Sequence, residues 1–119
     1  MEKVLVVDDS TVARRLLKEI ILSLGYKVVG EAANGAQAFA EYVRLKPDLV
    51  TMDLGMEGLS GAQVISKIVA TNPEARIVVV SASEERSVII DALERGARHF
   101  IVKPIEKEKV AAVLNKVLH

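Results

Sequence analysis

Cysteine is absent from the chain, so it can form neither a disulfide nor a thiolate metal site. Long apolar runs are missing too: the unbroken apolar stretches are strand-sized, far short of the roughly 20 residues of a membrane span. No apolar signal segment or cleavage site separates Met1-Glu2-Lys3 from the first apolar run, which makes a cytoplasmic location the expectation. Neither charge sign is in excess, since 16 basic residues stand against 16 acidic ones. That balance offers no basic field, so neither nucleic acid nor a membrane surface is expected as a partner. Internal repeats, low-complexity tracts and a Ser/Gly-rich tail are also lacking.

What remains is a chain of 119 residues, half of them hydrophobic. That length suits one domain with a real core, and the composition excludes disorder, so residues 1–119 are expected to form a single unit. Short β-branched runs alternate five times with amphipathic helical patterns, the signature of parallel strands joined by crossover helices. The strands are expected at Lys3 to Asp8, Lys27 to Ala32, Asp48 to Asp53, Arg76 to Ser81 and His99 to Val102. Each is rich in Val, Ile or Leu, as a sheet covered on both faces requires.

The helices carry their own punctuation. The first opens after Ser10, a good N-cap, and presents Ala13, Leu16, Leu17, Ile20, Ile21 and Leu24 to the sheet before stopping at Gly25. The second runs from near Asn34 to before Lys46-Pro47, and the third from near Gly61 to before Asn72-Pro73, because proline continues neither. Ser83 is expected to cap the fourth and Gly96 to close it, with Ile89, Ile90 and Leu93 inward and Val88 among polar neighbours. The fifth aligns Val110, Val113, Leu114, Val117 and Leu118.

The chemistry gathers at strand ends. Asp8-Asp9 closes the first strand and Asp53 the third. An aspartate at a strand end is often only a turn former, but three converging carboxylates are costly unless a cation or phosphoryl group uses them. Clustered oxygen ligands of this kind suit Mg²⁺, a hard cation usually bound alongside phosphate. Ser81 at the end of strand four could donate a hydroxyl to an anion, and Lys103 beyond strand five could supply a positive charge. Either one alone could be an ordinary turn or surface residue.

Asp8-Asp9, Asp53, Ser81-Ala82 and Lys103-Pro104, at these spacings, resemble bacterial two-component response-regulator receiver domains over essentially the whole chain. The resemblance implies a flavodoxin-like (βα)5 fold of class α/β: a five-stranded parallel sheet, order 2-1-3-4-5, with five flanking helices. In such sheets, of which chemotaxis receivers are themselves an example, ligands bind between strands one and three, where the strand order reverses. The resemblance further implies that Asp53 is the phosphoacceptor, phosphorylated from a sensor histidine kinase. Asp9, Asp53 and the Gly55 carbonyl would ligate Mg²⁺, with Asp8 acting through a water; Lys103 and Ser81 would contact phosphoryl oxygens. The Lys103-Pro104 bond would be cis, and Phe100, three residues before the lysine, would be the switch aromatic that follows Ser81.

Strand two with its turn, from Gly25 to Ala32, and Val79-Val80-Ser81-Ala82 look similar to chemotaxis-type receivers, and no output domain is expected after the fifth helix. The expectation is a stand-alone monomeric signalling protein rather than a turnover enzyme. Its output would be contact with a downstream protein through helix four, strand five and helix five. One departure stands out. Receivers usually read Asp-x-x-Met-Pro-x-Met-x-Gly, whereas this chain has Asp53-Leu54-Gly55-Met56-Glu57-Gly58-Leu59-Ser60-Gly61, so the loop loses a proline constraint where two glycines already loosen it.

Other readings remain. A haloacid-dehalogenase-type phosphohydrolase resembles Asp-x-Asp after the first strand plus a cap domain, and neither is found. A flavodoxin-like FMN carrier wants a Ser/Thr-rich phosphate loop where Asp8-Asp9 would repel phosphate. A receiver segment of a longer regulator, and a receiver-shaped scaffold that takes no phosphate, complete the set.

Overall fold

The computed structural model describes residues 1–119. Strands and helices alternate along the chain: β1 (Lys3–Val7), α1 (Thr11–Ser23), β2 (Lys27–Ala32), α2 (Gly35–Leu45), β3 (Leu49–Met52), α3 (Gly61–Thr71), β4 (Ile77–Ser81), α4 (Arg86–Arg95), β5 (His99–Val102) and α5 (Lys107–Leu118). The five strands are parallel in the order β2-β1-β3-β4-β5, the doubly wound sheet expected. β1 and β3 stop one residue earlier than the sequence suggested. Asp8 and Asp53 therefore lie just past the strands.

Strand pleating divides the apolar side chains between two faces. Leu5, Val7, Val50, Met52, Ile77 and Val79 point to one side, where Ala38 and Tyr42 of α2, Val64, Ile65 and Ile68 of α3, and Ala92 of α4 cover them. Val4, Val6, Leu49, Val78, Val80 and Ile101 point to the other, beneath Leu17, Ile20 and Ile21 of α1 and Val110 and Leu114 of α5. Every residue of β4 is buried, which explains its unbroken run of branched apolar side chains.

Local chemistry starts three helices as expected. The Ser10 side chain accepts from the Ala13 N–H at 3.2 Å, Asn34 from that of Gln37 at 2.9 Å, and Ser60 forms a reciprocal capping box with Gln63. Helix α4 departs from expectation at its start. The Ser83 hydroxyl accepts from the Glu85 N–H at 3.2 Å, and Ser81 accepts from that of Ser83 at 3.3 Å. These two-residue bonds hold residues 81–85 in turns, and the helix begins only at Arg86, with Glu85 as an N-cap that makes no side-chain bond.

The orientation of α4 also differs. Ala92 is its buried residue, Val88 and Ile89 are half-buried, and Ile90 and Leu93 are 43% and 37% exposed. The face turned to the core centres on small Ala92, with Gly96 close against Val69 of α3, so Val88 lies inward and Ile90 outward of the face expected. On α1, Leu16 proves 41% exposed instead of covering the sheet.

Candidate functional site

Register brings the acidic residues together. Val7 of β1 lies opposite Met52 of β3, so the next residue on each strand, Asp8 and Asp53, emerges side by side where the strand order reverses. Main-chain bonds pin both: the Asp8 N–H donates to Ala32 O at 3.0 Å and the Asp53 N–H to Val7 O at 3.1 Å. Asp9 follows on the exposed side, and carboxylate oxygens of Asp8, Asp9 and Asp53 come within 4.8 Å of one another. Asp8 and Asp53 are 2% and 6% exposed.

The electrostatics follow from that crowding. Burial, with the charges of Asp8 and Asp9, raises the Asp53 pKa above the ordinary carboxylate value, against opposing help from the Gly55 N–H and Lys103. The Gly55 N–H reaches Asp53 Oδ1 at 3.1 Å. A buried carboxylate held near two others is a site that favours a cation. Three oxygen donors without sulfur or imidazole match Mg²⁺ in hardness, so these residues fit that ion.

Lys103 arrives from the far side of the sheet. Ser81 of β4 pairs with Val102 of β5, and the Lys103 N–H donates to Ser81 O at 2.8 Å, which aims the following side chain back across the strand ends. Its ammonium donates to Asp8 Oδ2 at 2.9 Å, while the Ser10 N–H occupies Asp8 Oδ1 at 2.9 Å. The Lys103–Pro104 peptide is cis, as the resemblance implied. Ser81 is buried at the end of β4, and Phe100 on β5 is half-buried against the core face shared with α3 and α4.

Two residues outside the expected set also shape the site. A β-carbon added at Gly61 would lie 2.2 Å from the Asp53 carbonyl oxygen and 2.8 Å from Leu54 Cα, so only glycine lets the start of α3 pack against the backbone of Asp53. Arg14 of α1 donates to the Asp8 carbonyl at 2.6 Å and to Glu31 at 3.1 Å. A basic residue near the amino end of a helix opposes the helix dipole, and that is the signal by which it could have been found. The loop with Glu57 in place of proline is tied down elsewhere. Met56 is 5% exposed in the core, and the Ser60 capping box follows.

The largest cavity, about 340 Å³, lies between the carboxyl ends of α2 and α3, lined by Tyr42, Val43, Lys46, Pro47, Thr71 and Asn72. None of the acidic residues borders it.

Comparison with known proteins agrees with this geometry. A family model described as the response regulator receiver domain matches residues 4–115. The chain belongs to that family. This receiver is 45% identical over 116 residues to the chemotaxis protein CheY of Thermotoga maritima, covering 98% of this chain and 97% of that one. It is 41% identical over 117 residues to CheY of Bacillus subtilis, covering 98% of each. Among solved structures it superposes on CheY in the CheX–CheY–BeF3–Mg²⁺ complex of Borrelia burgdorferi with a TM-score of 0.96 at 32% identity, over 99% of this chain and 90% of that one. It is therefore a CheY homologue of the receiver class, a signalling domain, and no helix in it is long and apolar enough to cross a membrane.

Proposed function

We propose that this receiver works as a phosphorylation-switched signalling module in which Asp53 takes a phosphoryl group from the phosphohistidine of a sensor histidine kinase. The observation that carries the reading is the convergence of Asp8, Asp9 and Asp53 within 4.8 Å, with the Lys103 ammonium beside them. In the transfer, an Asp53 carboxylate oxygen bonds to phosphorus as the phosphorus–nitrogen bond breaks. The electron pair departs with the imidazole, which takes up a proton. Such a reaction asks the protein mainly to position reactants and to neutralise charge.

Asp9, Asp53 and the Gly55 carbonyl would hold Mg²⁺, with Asp8 acting through a water. The bound ion supplies positive charge against the carboxylates and the phosphoryl oxygens. Lys103 exchanges its bond to Asp8 for one to a phosphoryl oxygen, and Ser81 donates its hydroxyl hydrogen to another. As Ser81 moves, Phe100 changes its packing, and α4, β5 and α5 shift toward the state that binds a downstream protein. The CheY relatives, matched over nearly their whole length, support a chemotaxis or motility role for a monomeric chain acting alone. The CheX complex of the structural neighbour supports a protein partner. A receiver segment of a longer regulator is the second reading, favoured by 45% identity over 104 residues to a protein-glutamate methylesterase of Thermotoga maritima, 30% of whose length is matched.

Incubation with a small phosphodonor and Mg²⁺, followed by intact mass measurement, tests the assignment. One added phosphoryl group is expected, absent in Asp53→Asn. Equal labelling of that variant moves the phosphoacceptor elsewhere, and no labelling of the wild type leaves a phosphorylation-independent scaffold.

A further inference from the structure

Asp9 is exposed, so the position of its carboxylate depends on the backbone that carries it. Its N–H and the Asp8 carbonyl belong to one rigid peptide unit. Arg14 holds that unit: its Nη1 donates to the Asp8 carbonyl at 2.6 Å, a short charge-assisted bond. The peptide on the other side of Asp8 is held by the bond from its N–H to Ala32 O at 3.0 Å. With both planes fixed, the direction in which Asp9 leaves the strand end is set. Released from Arg14, the Asp8–Asp9 plane could turn and carry the Asp9 carboxylate out of the acidic triangle.

Arg14 is itself constrained. Its side chain is 16% exposed, and its Nε donates to Glu31 Oε1 at 3.1 Å. The other oxygen of Glu31 accepts from Lys18 at 2.8 Å, so two cations from α1 clamp one carboxylate on β2. Bonding from Lys18, then the charges of Lys18 and Arg14, keeps Glu31 below the usual carboxylate range and hence ionised near neutrality. A solvated surface pair would leave the guanidinium free to wander; here it is directed at a single main-chain oxygen next to the acidic cluster.

We propose that Arg14, oriented by Glu31, is a positioning residue that sets the Asp8–Asp9 peptide plane and thereby the affinity of the acidic site for a divalent cation. The inference rests on the reading of Asp8, Asp9 and Asp53 as that site. Outer-shell partners of metal ligands commonly contribute roughly tenfold or more in affinity.

The test is Mg²⁺ titration by calorimetry of the whole chain as wild type, Arg14→Met, Arg14→Lys, Glu31→Gln and Asp9→Ala, with amide exchange of the metal-free proteins. Arg14→Met should raise the Mg²⁺ Kd about tenfold, Arg14→Lys should recover part of the loss, and Glu31→Gln should cost about threefold. Exchange at Ser10, whose N–H is bonded to Asp8 Oδ1, should quicken in Arg14→Met while the core strands stay protected. Phosphodonor labelling of that variant should fall at limiting Mg²⁺ and recover in excess Mg²⁺, which a general loss of stability would not produce. An unchanged Kd in folded Arg14→Met overturns the proposal. Should that variant fail to fold, an unchanged Kd in both Arg14→Lys and Glu31→Gln overturns it equally. Weakened binding in Asp9→Ala alone would retain the metal site and reject Arg14, whereas no Mg²⁺ binding by the wild type rejects both.

Discussion

Lys103 Nζ lies 2.9 Å from Asp8 Oδ2, a bond between residues 95 positions apart that spans from the end of β5 to the end of β1. Asp8 is nearly inaccessible, and Lys103 is the side-chain cation bonded to it. Removing that cation leaves a buried carboxylate with the Ser10 N–H as its remaining side-chain bond. Lys103→Met should therefore lower the stability of the metal-free protein by roughly 1–3 kcal/mol, read as a fall in denaturation midpoint, and Mg²⁺ should restore most of it. No change in metal-free stability would mean that the pair contributes nothing net.

A second expectation concerns pH. Burial, joined by the Asp8 and Asp9 charges, raises the Asp53 pKa in the native chain. An unfolded aspartate titrates near about 3.9, so over the window from there up through the raised native value the folded state binds more protons. Asp53 thus contributes stability at low pH that is lost as pH rises through its native pKa. In chelator at pH 7, Asp53→Asn should melt higher than wild type, at roughly 4 °C per kcal/mol, and the gap should close as pH is lowered toward 4. A gap that widens on acidification would reverse the sign and contradict the desolvation account.

Gly61 and Gly58 make a controlled pair. A β-carbon at Gly61 meets the Asp53 carbonyl at 2.2 Å, whereas at Gly58, with φ of +74°, it meets nothing within 4 Å. Gly61→Ala should cost about 1–3 kcal/mol by overpacking and slow phosphodonor labelling at least tenfold, because Asp53 must shift. Gly58→Ala should cost about 1–2 kcal/mol of backbone strain and slow labelling far less. Equal effects on labelling would detach Gly61 from the placement of Asp53.

The output surface is testable by methyl and aromatic NMR. Ile90 and Leu93 of α4 are exposed, and Phe100 is half-buried beside that helix. Phosphorylation should shift the resonances of Ile89, Ile90, Leu93 and Phe100, while Val43, at the opposite edge near the carboxyl end of α2, stays fixed. Shifts confined to residues 54–61 would place the responsive surface in that loop.

Much of this architecture was legible in the chain. Five β-branched runs, each followed by a helical stripe, imply parallel strands, and a parallel sheet gathers its carboxyl ends on one edge whatever its strand order. Asp8, Asp9, Asp53, Ser81 and Lys103 could thus be assigned to one edge from the sequence. Helix starts after Ser10 and near Asn34 and Gly61 were legible because the signals there act within three residues. Where a local signal had two uses it misled: Ser83 caps a turn, and α4 begins later and faces differently than its own periodicity suggests.

Tertiary structure alone decided the relationships that cross elements. The register of β1 against β3 sets Asp8 beside Asp53, and the burial that raises the Asp53 pKa exists only once both faces of the sheet are covered. The reach of Lys103 to Asp8, the Gly61 contact with Asp53 and the grip of Arg14 on the Asp8 carbonyl depend on strand order and helix docking. Sequence patterns report which residues share a face or an end. Distances of 2.6 to 2.9 Å between residues on different elements are set by the summed packing of the whole core, which no local window contains.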